Sequence, residues 1–78
     1  MKKPITPIIP SARQVRAIRA WLSVKQPDFA RSCSISHSAL ADFELGRRET
    51  TKEIRLSIAR HVATLKIKFT DGNMILPE

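Results

Sequence analysis

Few side chains in this sequence could carry covalent or metal chemistry, and they do not gather. His37 and His61 are the two histidines and Cys33 the single cysteine. Cys33 and His37 stand four apart, a spacing that would suit two ligands on one helix face, but Ser34-Ile35-Ser36 interrupts the helix between them. No carboxylate cluster or glycine-rich phosphate loop accompanies either histidine, so no set of nucleophile, base and orienting group can be assembled. A lone cysteine excludes an internal disulfide framework and a multi-cysteine zinc site, and it reads as a small core residue. The sequence therefore predicts no enzyme, no metal and no cofactor. What remains is the chemistry of charge and hydrogen bonding. Arg13, Arg16 and Arg19 recur three apart, Arg47 and Arg48 form a pair, and Ser36-His37-Ser38 is a small polar run. Fourteen Lys and Arg against seven Asp and Glu give a net charge of +7 and a pI near 10.6. That field draws polyanions, nucleic acid foremost and an anionic membrane surface second. A merely solvated basic surface is the plainer alternative.

Those residues must be held by one small body. A chain of 78 residues and 8.8 kDa makes a single domain, which buries only about 60% of its extended-chain surface. With 42% apolar residues it can still form a core. Ser11 and Gln14 make a capping box, and Val15, Ile18, Trp21 and Leu22 follow at helical spacing, so the sequence predicts a helix over 11–22 with that stripe inward. Gln26-Pro27-Asp28 reads as a second start, because Pro is tolerated in a first turn and Asp suits the positive end of the dipole. This short helix ends near Ser32 or Cys33, with Phe29, Ala30 and Cys33 inside. Ser36 caps a third helix to about Leu45, whose inner side is Leu40 and Phe43, with Ala39 at a tight contact and Gly46 as the left-handed residue that ends it. Thr50 or Thr51 caps a fourth helix to about Thr64, with Glu53 as a capping-box acid and Ile54, Ile58, Val62 and Leu65 as the inner stripe.

The ends are of another kind. Residues 1–10 carry Pro4, Pro7 and Pro10 and form an extended lead-in. These prolines interrupt what would otherwise be the apolar core of a signal peptide. No run approaches the roughly 18 apolar residues of a membrane span, so the expected location is cytoplasmic. After Lys66 the pattern alternates to Thr70, Asp71-Gly72 is a turn signal, and Met74-Ile75-Leu76 is a second apolar stretch. Residues 67–78 therefore read as a short β-hairpin or extended strand beyond a helical domain spanning 11–66.

Two short helices, 26–32 and 36–45, joined by a three-residue break form a helix-turn-helix arrangement, in which the second helix enters the DNA major groove. Ala30 and Ala39 let the backbones approach, and Ile35 fills the corner. The fold expected is thus mainly α, a compact four-helix DNA-binding domain with a short C-terminal hairpin. The segments Gln14-Val15-Arg16-Ala17, Gln26-Pro27-Asp28-Phe29-Ala30 and Ile35 to Arg48, above all the run ISHSALADFELGRR, resemble the phage repressor/Cro family, also called the xenobiotic-response-element-type helix-turn-helix. The likeness covers about Ser11 to Phe69. The chain departs from that pattern at Ser34, where the family's turn carries Gly, at Lys25, where it carries a Ser or Thr cap, and at Lys66, where many members carry Gly.

The resemblance implies roles. Gln26 would clamp a phosphate and brace the first base-reading residue. Ser36, His37, Ser38, Ala41 and Asp42 would face base edges, with Asp42 either accepting from a cytosine amino group or resting near a basic side chain. Arg47 and Arg48 would lie beside the sugar-phosphate backbone, with Arg13 and Arg16 adding contacts from one edge. Family members dimerise, so that two such helices about 34 Å apart meet successive major grooves of a palindromic site. The candidate dimer surface is Leu56, Leu65, Ile67, Phe69, Met74, Ile75 and Leu76, which could equally be a hairpin folded onto its own core. The expected function is a sequence-specific, DNA-binding transcriptional regulator acting as a homodimer, such as a repressor or controller protein of a phage, restriction system or mobile element. The alternative is an antitoxin or anti-activator whose main role is to hold a protein partner. A third reading, non-specific RNA or membrane binding through charge alone, predicts no preference among DNA sequences.

Overall fold

A computed structural model of the chain describes residues 9–47, 50–70 and 73–77. Over these it is mainly helical, with helices α1 (Ala12–Leu22), α2 (Gln26–Ser32), α3 (His37–Glu44) and α4 (Lys52–Ala63) followed by strands β1 (Lys68–Thr70) and β2 (Asn73–Ile75). Arg48, the Asp71-Gly72 turn and the lead-in up to residue 8 lie outside the described residues.

Each helix starts where its sequence offers a cap. Ser11 and Gln14 close the reciprocal capping box on α1, Ser36 accepts from the Ala39 N–H at 3.1 Å, and Thr51 accepts from the Ile54 N–H at 3.2 Å. Helix α2 begins at Lys25 without a side-chain cap; Pro27 and Asp28 in its first turn suit the start instead. Glu53 forms no capping box, because Thr51 is the cap and Glu53 then falls one residue short of the reciprocating position. It remains an acidic residue in the first turn.

Each helix also ends near a left-handed residue: Ser23 after α1, Ser34 after α2, Gly46 after α3 and Lys66 after α4. Behind the first three of these, the next N–H returns to a carbonyl of the last turn, from Val24 to Arg19, Ile35 to Ala30 and Arg47 to Asp42. This closure satisfies carbonyls that would otherwise lack partners.

The core forms where the helices converge: Val15 and Ile18 from α1, Phe29 and Ala30 from α2, Leu40 and Phe43 from α3, Ile58 and Val62 from α4, and Cys33 at the α2–α3 joint. Each fully buried aliphatic side chain contributes about 2 kcal/mol relative to exposure. Burial pushes the Cys33 thiol up to about 11, so it stays protonated at neutral pH. Trp21 departs from the expected stripe and is 39% exposed. At about 100° per residue it lies roughly 120° around the axis from Val15, so a core centred on Val15, Ile18 and Leu22 leaves it at the margin.

The last segment folds back on the same chain. β1 and β2 pair antiparallel with Lys68 opposite Ile75, Phe69 opposite Met74 and Thr70 opposite Asn73. Leu65, Ile67, Phe69 and Met74 pack against the helical core, whereas Ile75 is 52% exposed. Leu56 and Leu76 are partly buried. Of the seven residues considered for a dimer surface, four are thus engaged within their own protomer.

Candidate functional site

Helix α3 has two unlike sides. Leu40, Phe43 and Glu44 are buried, while Ser36, His37 and Ser38 are exposed and Ala41 and Asp42 partly so. Positions 37, 38, 41, 42 and 45 fall on one face of a 3.6-residue helix, so these small or polar side chains form a continuous outer strip. Leu45 prolongs it at 68% exposure.

The inner side is anchored through Glu44. Its carboxylate is 4% exposed and accepts from Arg19 Nε at 2.7 Å and Arg19 Nη2 at 2.8 Å, a two-point ion pair linking α3 to α1. Gln26 Nε2 at the start of α2 donates to the same carboxylate at 3.1 Å. Arg16 donates to the Glu44 carbonyl oxygen, and Arg19 Nη1 reaches the Val24 carbonyl at 3.2 Å. The hydrogen bond to Glu44 raises the pKa of Arg19 further, against a smaller opposing effect of burial. One carboxylate therefore ties three helices together.

Gln26 also reaches the outer strip, its Oε1 lying 2.8 Å from His37 Nε2. Asp42 Oδ1 lies 3.5 Å from Arg47 Nη1, and the Arg47 N–H donates to the Asp42 carbonyl at 3.0 Å. This places Asp42 beside a basic side chain at the C-terminal end of the strip. Arg13 is exposed on α1. Of the three-residue arginine row, Arg16 and Arg19 are engaged with Glu44, so the row is not one uniform solvated face. Arg48 lies outside the described residues.

Sequence reading missed Glu44. An acid near the end of a helix looks like a surface residue, and its partners Arg19 and Gln26 lie 25 and 18 residues earlier. The one available signal was that position 44 lies one turn beyond Leu40, hence on the inner side of α3.

Elsewhere, His61 on α4 packs edge-on against Phe29, with ring centroids 5.3 Å apart, and borders an open groove with Cys33, Ser34 and Arg60. Burial lowers its pKa below the ordinary 6.5. Among the described residues no group of three or more His, Cys, Asp or Glu could hold a metal ion. No helix among them is long and apolar enough to cross a membrane. Comparison of the chain with protein-family models, curated proteins and solved structures finds no match in any of the three.

Proposed function

We propose that the chain is a sequence-specific DNA-binding regulator, a repressor or controller in which α2 and α3 act as a helix-turn-helix and α3 enters the major groove. The observation that carries this reading is the division of α3. Its inner side is fixed to α1 and α2 through Leu40, Phe43 and Glu44, and its outer strip from Ser36 to Asp42 keeps short polar groups for an external surface. A rigid rod with small polar side chains suits a groove about 12 Å wide. The net charge of +7 supplies the attraction to phosphate.

In this reading His37 and Ser38 meet base edges, Gln26 braces His37 and contacts a phosphate, and Arg47, Arg48 and Arg13 lie along the backbone. Arg16 adds to them with whatever donors its contact to Glu44 leaves free. Two copies on a palindromic operator complete the site. Ile75, with Leu56 and Leu76, is the apolar surface left for pairing once the other hairpin residues are turned inward.

A second reading, an antitoxin or anti-activator that holds a protein partner, draws support from the shallow groove of about 260 Å³ lined by Lys66, Lys68, Ile75, Leu76 and Pro77. Selection of bound sequences from random duplex DNA separates the two. A palindromic consensus supports the regulator, and no enrichment at physiological salt rejects it. Arg47→Ala should then weaken binding to all sequences and reduce the salt slope by about one. His37→Ala or Ser38→Ala should instead relax preference at one position, costing about 1–3 kcal/mol against the preferred site. Identical behaviour of the two variant classes would overturn the division into readers and clamps.

A further inference from the structure

The contacts around Gln26 determine more than the position of His37. Glu44 is buried and ion-paired with Arg19, and an ionised carboxylate can only accept hydrogen bonds. The Gln26 amide therefore meets it through Nε2, which fixes the amide's orientation and turns Oε1 to His37. An amide oxygen also only accepts, so His37 Nε2 must be the donor across the 2.8 Å contact. The ring thus keeps its Nε2 proton whether it is neutral or charged. Nδ1 is the nitrogen that changes, an acceptor in the neutral ring and a donor in the imidazolium. It has no hydrogen bond to any described residue, and the His37 side chain is exposed.

We propose that Glu44, acting through Gln26, holds His37 as the Nε2–H tautomer, so that Nδ1 is the base-reading atom: it seeks the amino group of adenine or cytosine when the ring is neutral and an acceptor when the ring is protonated, guanine foremost because it offers two, N7 and O6. The proposal rests on the DNA-binding reading above and gives that site a specificity and a regulation. The opposite tautomer would present a donor in both charge states and could not distinguish them. Glu44 and Gln26 are positioning residues here, since neither touches the base through this route.

The charged groups on the surrounding elements are largely paired. Asp28 on α2 lies 3.4 Å from Arg31, Asp42 on α3 lies 3.5 Å from Arg47, and Glu44 is held by Arg19 of α1. Lys25, the α2 cap residue beside Gln26, is exposed.

The test has two arms on the full chain. In the free protein, ¹⁵N NMR of the imidazole at pH 8 should show His37 wholly protonated at Nε2 and bare at Nδ1, and Gln26→Ala should let the Nδ1–H form appear, as in a free histidine where Nε2–H is the major but not the sole tautomer. A ring protonated at Nδ1, or one unchanged by Gln26→Ala, overturns the lock without touching DNA binding. In the second arm, sequences are selected from random duplex DNA at pH 8 and pH 5.5, with circular dichroism checking that the chain is folded at both. At one position per half-site, preference should move from adenine or cytosine toward guanine by about tenfold. His37→Gln, which cannot titrate, should bind with the same preference at both pH values. Sequence-specific binding with an unchanged consensus, or a shift that survives His37→Gln, overturns the proposal alone. Absence of sequence-specific binding at either pH overturns the regulator reading and the base-reading role with it, while the tautomer in the free protein still reports on the lock.

Discussion

A buried carboxylate is costly unless charge and hydrogen bonds replace its lost water. Glu44, 4% exposed, has both, in two contacts from Arg19 and one from Gln26. Every titratable side chain in the core region must meet this condition or shift its equilibrium. His61 takes the second course, since burial against Phe29 lowers its pKa below 6.5. The sign of the consequence follows from linkage. Above the unfolded-state value the ring is neutral in both states and costs nothing. As pH falls through about 6.5 the unfolded chain takes up the proton first, so stability declines until the folded-state value is passed. The urea midpoint should therefore drop between pH 7.5 and pH 5, and His61→Phe, which keeps an aromatic edge on Phe29 without titrating, should show a smaller drop. An equal drop in both proteins would clear His61 of the effect. At this scale the sequence was least legible. Nothing local to Glu44 or His61 announces burial, because the groups that enclose them come from other elements.

Elements were far more legible, and for identifiable reasons. Ser11, Pro27, Ser36, Thr51 and Gly46 act on backbone donors, acceptors or dihedral angles within a few residues, so their meaning survives without tertiary context. The expected bounds of α2, Gln26 to Ser32, coincide with those observed. The misreadings arose where two registers were available or a stripe had an ambiguous edge. Glu53 would have reciprocated a cap at Thr50, but Thr50 is 7% exposed, with its hydroxyl donating to the Arg47 carbonyl at 3.2 Å, and Thr51 caps instead. Trp21 sits at the margin of a stripe whose centre depends on how α1 meets α3. The departures at Ser34 and Lys66 fall on left-handed residues, with φ of 61° and 59°. A side chain there costs roughly 1–2 kcal/mol. Lys66→Gly should thus raise stability by about 1 kcal/mol, offset in part by the freer unfolded chain. A midpoint that fell instead would show that the Lys66 side chain contributes more than its backbone strain costs.

For the molecule as a whole, the open question in the sequence was where the apolar C-terminal side chains go, since alternation looks the same whether a strand covers its own core or a neighbour's. The observed register turns Phe69 and Met74 toward the helices together with Ile67. Deleting residues 67–78 should therefore lower the unfolding free energy read from urea titration, by about 3 kcal/mol if each of these three side chains contributes about 1. A truncated chain as stable as the full one would show the hairpin to be an independent arm. The deletion also removes Ile75, so, if the proposed operator binding is found, its loss in a truncated but folded chain would assign the proposed pairing to that residue and its neighbours. Beneath the α2–α3 joint lies Cys33, 4% exposed, its thiol held protonated by its surroundings. Although Cys33 borders the groove beside His61, only 4% of it is exposed, so a bulky alkylating reagent reaches the sulfur fastest in moments when the cover lifts. The chain thus contains its own clock for native-state breathing at the joint that orients α3, readable as the rate at which a single atom is labelled.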